Sequence, residues 1–235
     1  MLNMETRPFP FEATASLRMN HVRHGPHTGM KGRMRVYCNE GCPYAQRTRA
    51  LLTILEQPFE PVIVDLANKS PEFLALSPTG AIPVLDDDGF VLFESSVINE
   101  YLAEKYAWPD AFSRDVKERA HERLAMNRYD TFIVPLAMAC LKNPAAVDGK
   151  PNWKREVELI GAAVKGKSPR SLLGLHLGTL FQRMRWYGPD VAVVRELERV
   201  AGSYLEQVLA LPAIVSTTPD RETNTREFRK KFGLS

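Results

Sequence analysis

A short apolar run, Met34-Arg35-Val36-Tyr37-Cys38, leads through Asn39-Glu40-Gly41 into Cys42-Pro43, and then into good helix formers. A strand that ends this way and passes straight into a helix places a thiol at the helix N-terminus. Backbone N–H groups are free there and the helix dipole is positive, which favours thiolate, the nucleophilic form of cysteine. Pro43 suits the first helical turn, where its missing N–H is no loss. Ala45, Leu51, Leu52 and Leu55 then recur at helical spacing and give a helix over 43–56 with one apolar face. The segment therefore demands a sheet with a helix packed on it and a cysteine at the junction.

The next residues keep alternating strand and helix. Phe59-Glu60-Pro61-Val62-Ile63-Val64-Asp65 reads as a second strand, 71–76 as a short helix and 82–85 as a third strand. Asp86-Asp87-Asp88-Gly89 is a turn signal before a fourth strand at 90–93. A helix over 95–106 follows, with Val97, Ile98, Tyr101 and Leu102 on one face. The order βαβ-α-ββα gives a small α/β sheet. Trp108-Pro109-Asp110 reads as a linker, and the pattern beyond it is helical throughout. One long segment spans 114–141, with Ala120, Leu124, Tyr129, Phe132, Ile133, Leu136 and Leu141 facing inward and a kink at Pro135. Shorter helices are expected at 152–165, 171–187 and 190–210, and the basic tail 216–235 is expected to be a solvated helix or a mobile end. Charge changes sign at the same place: 7 basic against 11 acidic residues over 31–108, then 21 against 15 over 109–235. The expected organisation is an irregular extension over 1–32, an α/β domain over 33–108 and an all-α domain over 109–235.

Composition removes several function classes. A net charge of +3 on 235 residues is too mild for a nucleic-acid partner. No apolar run approaches the roughly 20 residues that span a membrane. Three cysteines do not make a disulfide framework, so a reducing, cytoplasmic setting is expected. Cys38 and Cys140 read as core, and a single C-x₃-C lacks the further ligands zinc needs. No metal is expected: His21, His24 and His27 lie in a Pro- and Gly-broken stretch and read as incidental. That stretch lacks the apolar core of a secretory signal and reads as an extension rather than an organelle transit peptide.

Three further features join Cys42. Pro83 opens the third strand, where a missing ladder donor is tolerated, and a cis bond there would turn backbone groups toward a ligand. Glu94-Ser95 stands at the next strand-to-helix junction, where the Ser95 hydroxyl and the free amides suit a carboxylate. Lys69 is a cation between the second strand and the short helix. A cation at one end and a helix start at the other suit a short peptide with two carboxylates. On Cys42-Pro43-Tyr44-Ala45-Gln46-Arg47, Gly80-Ala81-Ile82-Pro83-Val84-Leu85 and Phe93-Glu94-Ser95-Ser96-Val97-Ile98-Asn99-Glu100-Tyr101-Leu102, the chain resembles the cytosolic glutathione transferases, in particular the omega-like, cysteine-type thiol transferases. The likeness is specific over 34–108 and diffuse beyond. It implies a thioredoxin-like first domain, an all-helical second domain and glutathione as cosubstrate. Cys42 would be the reactive residue and Ile82–Pro83 a cis bond. Tyr44, Ile82, Pro83 and Val84 would line the glutathione site, Glu94 and Ser95 would hold the γ-glutamyl end, and Lys69 the glycine carboxylate. Ala45 stands where a dithiol enzyme has its second cysteine, so the chemistry would be monothiol, in redox or detoxification work. The second substrate would be a small electrophile or a disulfide, and the protein a homodimer. Among the aromatic candidates Tyr44, Tyr129, Phe132, Trp186 and Tyr187, the second-substrate pocket is assigned to Tyr129, Phe132 and Trp186.

The second domain departs from the family in one place. Gly174 stands where a capping-box acid is expected after Ser171, which removes one reciprocal bond at a cost of about 1 kcal/mol. Two alternatives stay open: conjugation of glutathione to aromatic electrophiles, and a non-enzymatic protein that uses the same fold for binding or regulation.

Overall fold

Five residues, Met34–Cys38, form the strand β1 on which the sheet is built. The computed structural model describes residues 34–234. From β1 the chain enters α1 (Pro43–Ile54) and returns as β2 (Phe59–Ile63), parallel to β1 as a helical crossover allows. A short α2 (Pro71–Leu76), capped by Ser70, precedes β3 (Val84–Asp87) and β4 (Phe90–Phe93), both antiparallel. The strand order is β2-β1-β3-β4. Pro61 lies in β2, an edge strand, where a residue without an N–H does no harm. This is the thioredoxin-like arrangement expected, completed by α3 (Ser95–Lys105).

The turn after β3 is shorter than the sequence implied. Asp86 and Asp87 belong to the strand because each has a partner there. Arg35, opposite on β1, pairs with buried Asp86, whose other oxygen accepts from the N–H of Gly89 at 2.8 Å. Asp87 accepts from the Tyr101 hydroxyl and from Lys105.

The rest is helical: α4 (Val116–Arg128), α5 (Val134–Lys142), α6 (Trp153–Val164), α7 (Leu172–Tyr187), α8 (Ala192–Leu209), α9 (Pro212–Thr217) and α10 (Arg221–Phe232). The expected long helix over 114–141 is instead two helices joined by a wide π turn over Tyr129–Ile133. Pro135 has no N–H for the carbonyl of Thr131 and its ring crowds that carbonyl; the widened turn accommodates both, leaving Pro135 in the first turn of α5. The inward face also differs. Ala120 and Leu124 are exposed, while Glu122, Ala125 and Met126 are buried. The register is set by Glu122, whose carboxylate takes the Ser113 amide and hydroxyl and the Lys167 ammonium into the interior. Val97 on α3 is likewise exposed rather than inward.

One core runs through both architectures, from Met34 of β1 to Ile214 of α9. At its centre α7 is buried along nearly its whole length. Gly174 is explained by that burial. A Cβ there would come within 2.2 Å of the Pro169 carbonyl oxygen. Ser171 still caps the helix, accepting from the Gly174 N–H at 3.1 Å, and Tyr204 ties the corner by donating to the Ser168 carbonyl at 3.0 Å. α1 lies between the sheet and α7 and α9, so even Gln46, Arg47 and Thr48 are fully enclosed. The basic tail is a capped helix, α10, held against the body by Asn224 and Phe228.

Candidate functional site

Cys42 is the N-cap of α1, with extended backbone angles. The loop before it is stiffened at both ends: Gly41 N donates to the Asn39 side chain at 3.0 Å, and Cys42 N to the Asn39 carbonyl at 3.1 Å. Its Sγ lies 3.9 Å from the carbonyl oxygen of Ile82, the residue joined to Pro83 by a cis peptide bond. Burial pushes the Cys42 thiol up. The amides of Ala45 and Tyr44 and the cations Arg47 and Arg183 act against that shift without overcoming it. The helix start thus offers the thiolate the donors anticipated, yet desolvation wins.

A cavity of about 630 Å³ opens at Cys42. Its near side is Asn39, Gly41, Pro43 and Tyr44. Its far wall is Val134 and Met138 from α5, Leu180, Arg183, Met184 and Tyr187 from α7, and Glu227, Phe228, Lys231 and Phe232 from α10. Tyr187 and Phe228 stack nearly parallel with centroids 3.5 Å apart, and Phe232 extends the aromatic surface at 4.5 Å. The Tyr187 hydroxyl donates to Asn224 at 2.8 Å, and burial takes its pKa up to about 12.

The structure divides the expected site residues into two groups. Cys42 and Tyr44 line the cavity. Ile82, Pro83, Val84, Lys69, Glu94 and Ser95 lie on the sheet side, outside the cavity wall, with the Ile82 carbonyl as the link. Val84 is enclosed in the ladder between Tyr37 and Phe93. Ser95 is buried at the first turn of α3, and Glu94 before it is exposed and held at φ 69°, a left-handed conformation uncommon for a glutamate. Lys69 arches over Gly80, its Nζ 3.2 Å from where a Cβ on that glycine would sit; among the described residues it has no ion-pair partner.

The assignment of the second-substrate wall needs correction. Tyr129 is fully buried in the core and donates to the Leu177 carbonyl at 3.2 Å. Phe132 packs under Arg128, and Trp186 lies against the Arg183 guanidinium in a separate shallow groove formed with α10. None of the three lines the cavity. Tyr187 does, and α10 supplies the aromatics that the tail's polar composition concealed.

Beneath the thiol lie buried charges that the sequence did not announce. Arg47, wholly enclosed, contacts His176 Nδ1 at 2.7 Å and Asp130 at 3.5 Å, while His176 Nε2 meets Asp130 at 3.0 Å. Burial, reinforced by Arg47, takes the His176 pKa down to about 4, so the imidazole is neutral. Burial works against the Asp130 carboxylate, but His176 and Arg47 hold its pKa below the usual range. Arg183, 1% exposed, donates to Gln46 at 2.7 Å and to Gln182 at 2.6 Å. Among the described residues no cluster of His, Cys, Asp or Glu is arranged to hold a metal; His21, His24 and His27 lie outside them.

Residues 36–110 match the family model for the glutathione S-transferase N-terminal domain. A probable glutathione transferase of Aplysia californica is 37% identical over 86 residues, 37% of this chain and 94% of the relative. Glutathione S-transferase omega-1 of Mus musculus is 29% identical over 148 residues, 63% of this chain, which spans 60% of that relative. The crystal structure of glutathione transferase Omega 1C from Trametes versicolor superposes with a TM-score of 0.74 at 21% identity, over 86% of this chain and 97% of that one.

Proposed function

Since the chain belongs to the glutathione transferase family, with an omega-class protein among its relatives, we propose that it is a glutathione-dependent thiol transferase acting through Cys42. The observation that carries this reading is the placement of a cysteine, rather than a hydroxyl residue, at the α1 N-cap, facing the cavity and 3.9 Å from the carbonyl that precedes cis-Pro83. The Cys42 thiolate attacks the glutathione sulfur of a mixed disulfide. The Cys42–glutathione S–S bond forms as the original S–S bond breaks, and the other thiol leaves with the electron pair. The thiolate of a second glutathione then attacks the bound glutathione sulfur, giving glutathione disulfide and restoring Cys42. Dehydroascorbate and glutathionyl adducts are further substrates in the same reading.

Glutathione would lie along the sheet side. The backbone of Val84, next to Pro83, would pair with its cysteinyl unit. Ser95 and Glu94 at the α3 N-terminus would take the γ-glutamyl end, with the helix dipole favouring the carboxylate. Lys69, a cation without an ionic partner among the described residues, would take the glycine carboxylate. The reading includes a cytoplasmic, reducing setting that keeps Cys42 free. It also includes a homodimer, for which Phe90, Phe93 and Val97 offer an exposed apolar surface on β4 and α3.

The upward shift of the Cys42 thiol favours a second reading, in which the cavity's apolar wall receives an aromatic electrophile and glutathione's own sulfur attacks it. One experiment separates the two: intact-mass analysis after incubation with glutathione disulfide, beside turnover assays, on wild type and Cys42→Ala. One glutathionyl group on wild type only, with thiol transfer lost in the variant, supports the first. No adduct, with conjugation undiminished in Cys42→Ala, supports the second.

A further inference from the structure

Arg183 is a buried cation without an anion. Arg183 is among the residues that line the Cys42 cavity, is 1% exposed, and its two hydrogen bonds go to the neutral amide oxygens of Gln46 and Gln182. Its Nε is buried with no acceptor among the described residues. The groups that bear on its charge are the Tyr187 phenol, the Cys42 thiol and the Arg49 guanidinium, and none is a carboxylate. Tyr187 and Cys42 are both pushed toward their neutral forms by burial. Burial lowers the Arg183 pKa only to about 10, so the charge persists at neutral pH. Its counterpart in α1 differs: Arg47 is just as enclosed, but has Asp130 and His176. A buried charge left unpaired is costly unless something compensates it; the Trp186 ring, 4.5 Å from the guanidinium carbon, does so in part, and the cavity that Arg183 helps line has room for an anion.

We propose that Arg183 pairs with an anionic group on the second substrate, so that the cavity selects aromatic acids. The apolar part of the cavity lining is Val134, Met138, Leu180, Met184, Phe228 and Phe232, which suits a ring system, and the lining also carries one acid, Glu227, and one further base, Lys231. The cavity is of ligand size at about 630 Å³. The inference rests on the thiol-transfer reading for the reaction itself, in which Cys42 sulfur bonds to the glutathione sulfur as the aryl thiolate leaves with the electron pair. Glutathione's own carboxylates are accounted for on the sheet side, so they leave Arg183 unpaired. Burial pushes Cys42 toward its neutral thiol, and Glu227, the one carboxylate among the residues lining the cavity, is not among the groups that act on Arg183, so the partner proposed for its charge is the anion of the incoming substrate.

The test uses two glutathione mixed disulfides of the same shape, those of 4-sulfanylbenzoate and 4-sulfanylbenzamide, with wild type, Arg183→Gln and Arg183→Lys. The carboxylate-to-amide ratio of kcat/KM in wild type, divided by that in Arg183→Gln, cancels the intrinsic reactivity of the two disulfides and any common effect on Cys42. The expected value is about tenfold or more, the scale of one charge-assisted hydrogen bond, with Arg183→Lys intermediate. A quotient near one overturns the proposal. Calorimetric binding of 2-naphthoate and 2-naphthamide, which requires no turnover, keeps the outcomes apart. Naphthoate should bind wild type about tenfold more tightly than the amide and protect Cys42 from iodoacetamide, and Arg183→Gln should lose the preference. Discrimination with no Cys42 adduct would keep the anion site and remove thiol transfer. Turnover without discrimination would do the reverse. If neither variant folds, equal binding of the two naphthalenes to wild type still overturns the proposal.

Discussion

Asn224 donates to the backbone carbonyl of Gly41, the residue before Cys42, at 3.3 Å, and accepts from the Tyr187 hydroxyl at 2.8 Å. One side chain thus joins the last helix to the thiol loop and to the central helix, and it is the one buried residue of α10.

Replacing Asn224 with Ala leaves the buried Tyr187 hydroxyl without its acceptor. Urea unfolding should show a loss of about 1–3 kcal/mol. KM for a second substrate should rise because Phe228 and Phe232 no longer hold their positions. A variant with unchanged stability and KM would show that the helix is held by its aromatics alone.

The His176 site predicts an acid-sensitive stability. Its folded pKa of about 4 lies below the ordinary value of 6.5, so the unfolded chain binds the extra proton as pH falls. Stability from this group is complete above about pH 6.5 and declines by roughly 1 kcal/mol per pH unit down to about pH 4, where the decline ends. Asp130, whose pKa is lowered, adds a loss of the same sign at more acid pH. Urea titrations between pH 7 and 4 should show the slope, and His176→Gln should flatten its upper part. A slope unchanged in the variant would remove His176 as the cause.

Gly174→Ala should cost about 1–3 kcal/mol, because its Cβ would press on the Pro169 carbonyl. Ser171→Ala, which removes the cap alone, should cost about 1 kcal/mol. Equal effects from the two would mean that the chain at Pro169 gives way easily.

Alkylation of Cys42 by iodoacetamide should be slow at pH 7 and rise with a midpoint above that of an ordinary thiol, about 8.5, because burial raises its pKa. Arg183→Gln should move the midpoint higher still. A midpoint below 8 in the free protein would show that the α1 amides outweigh desolvation.

The α/β half was largely legible because its signals are local. Alternation and the Cys42-Pro43 and Glu94-Ser95 junctions each sit within a few residues of what they determine, although Ser95 stands inside the first turn and Glu94, not Ser95, is the cap. The features that were not legible depend on distant packing. Gln46-Arg47-Thr48 is a polar stretch, yet α7 and α9, more than a hundred residues downstream, cover it. Arg183 looks no different in sequence from Arg185, which pairs with Glu206 at the surface. Leu124 and Ala120 fit an inward stripe by spacing, but Glu122's need for Ser113 and Lys167 turns that helix the other way. Tyr129, Phe132 and Trp186 are aromatics in helical segments, but burial and packing place none of them on the cavity, and the tail's basic composition hides the docking of α10.

None of the side chains that α10 turns toward the cavity belongs to the main core, whose last member is Ile214. The main apolar core and the α10 side of the cavity are therefore built from different residues. Lys231 and Phe232 can be exchanged at less cost to the fold than Phe228, which stacks on Tyr187, and each exchange would redraw the cavity beside Cys42. Chimeras joined near residue 219 would exchange this wall of the cavity as one segment while leaving the main core untouched.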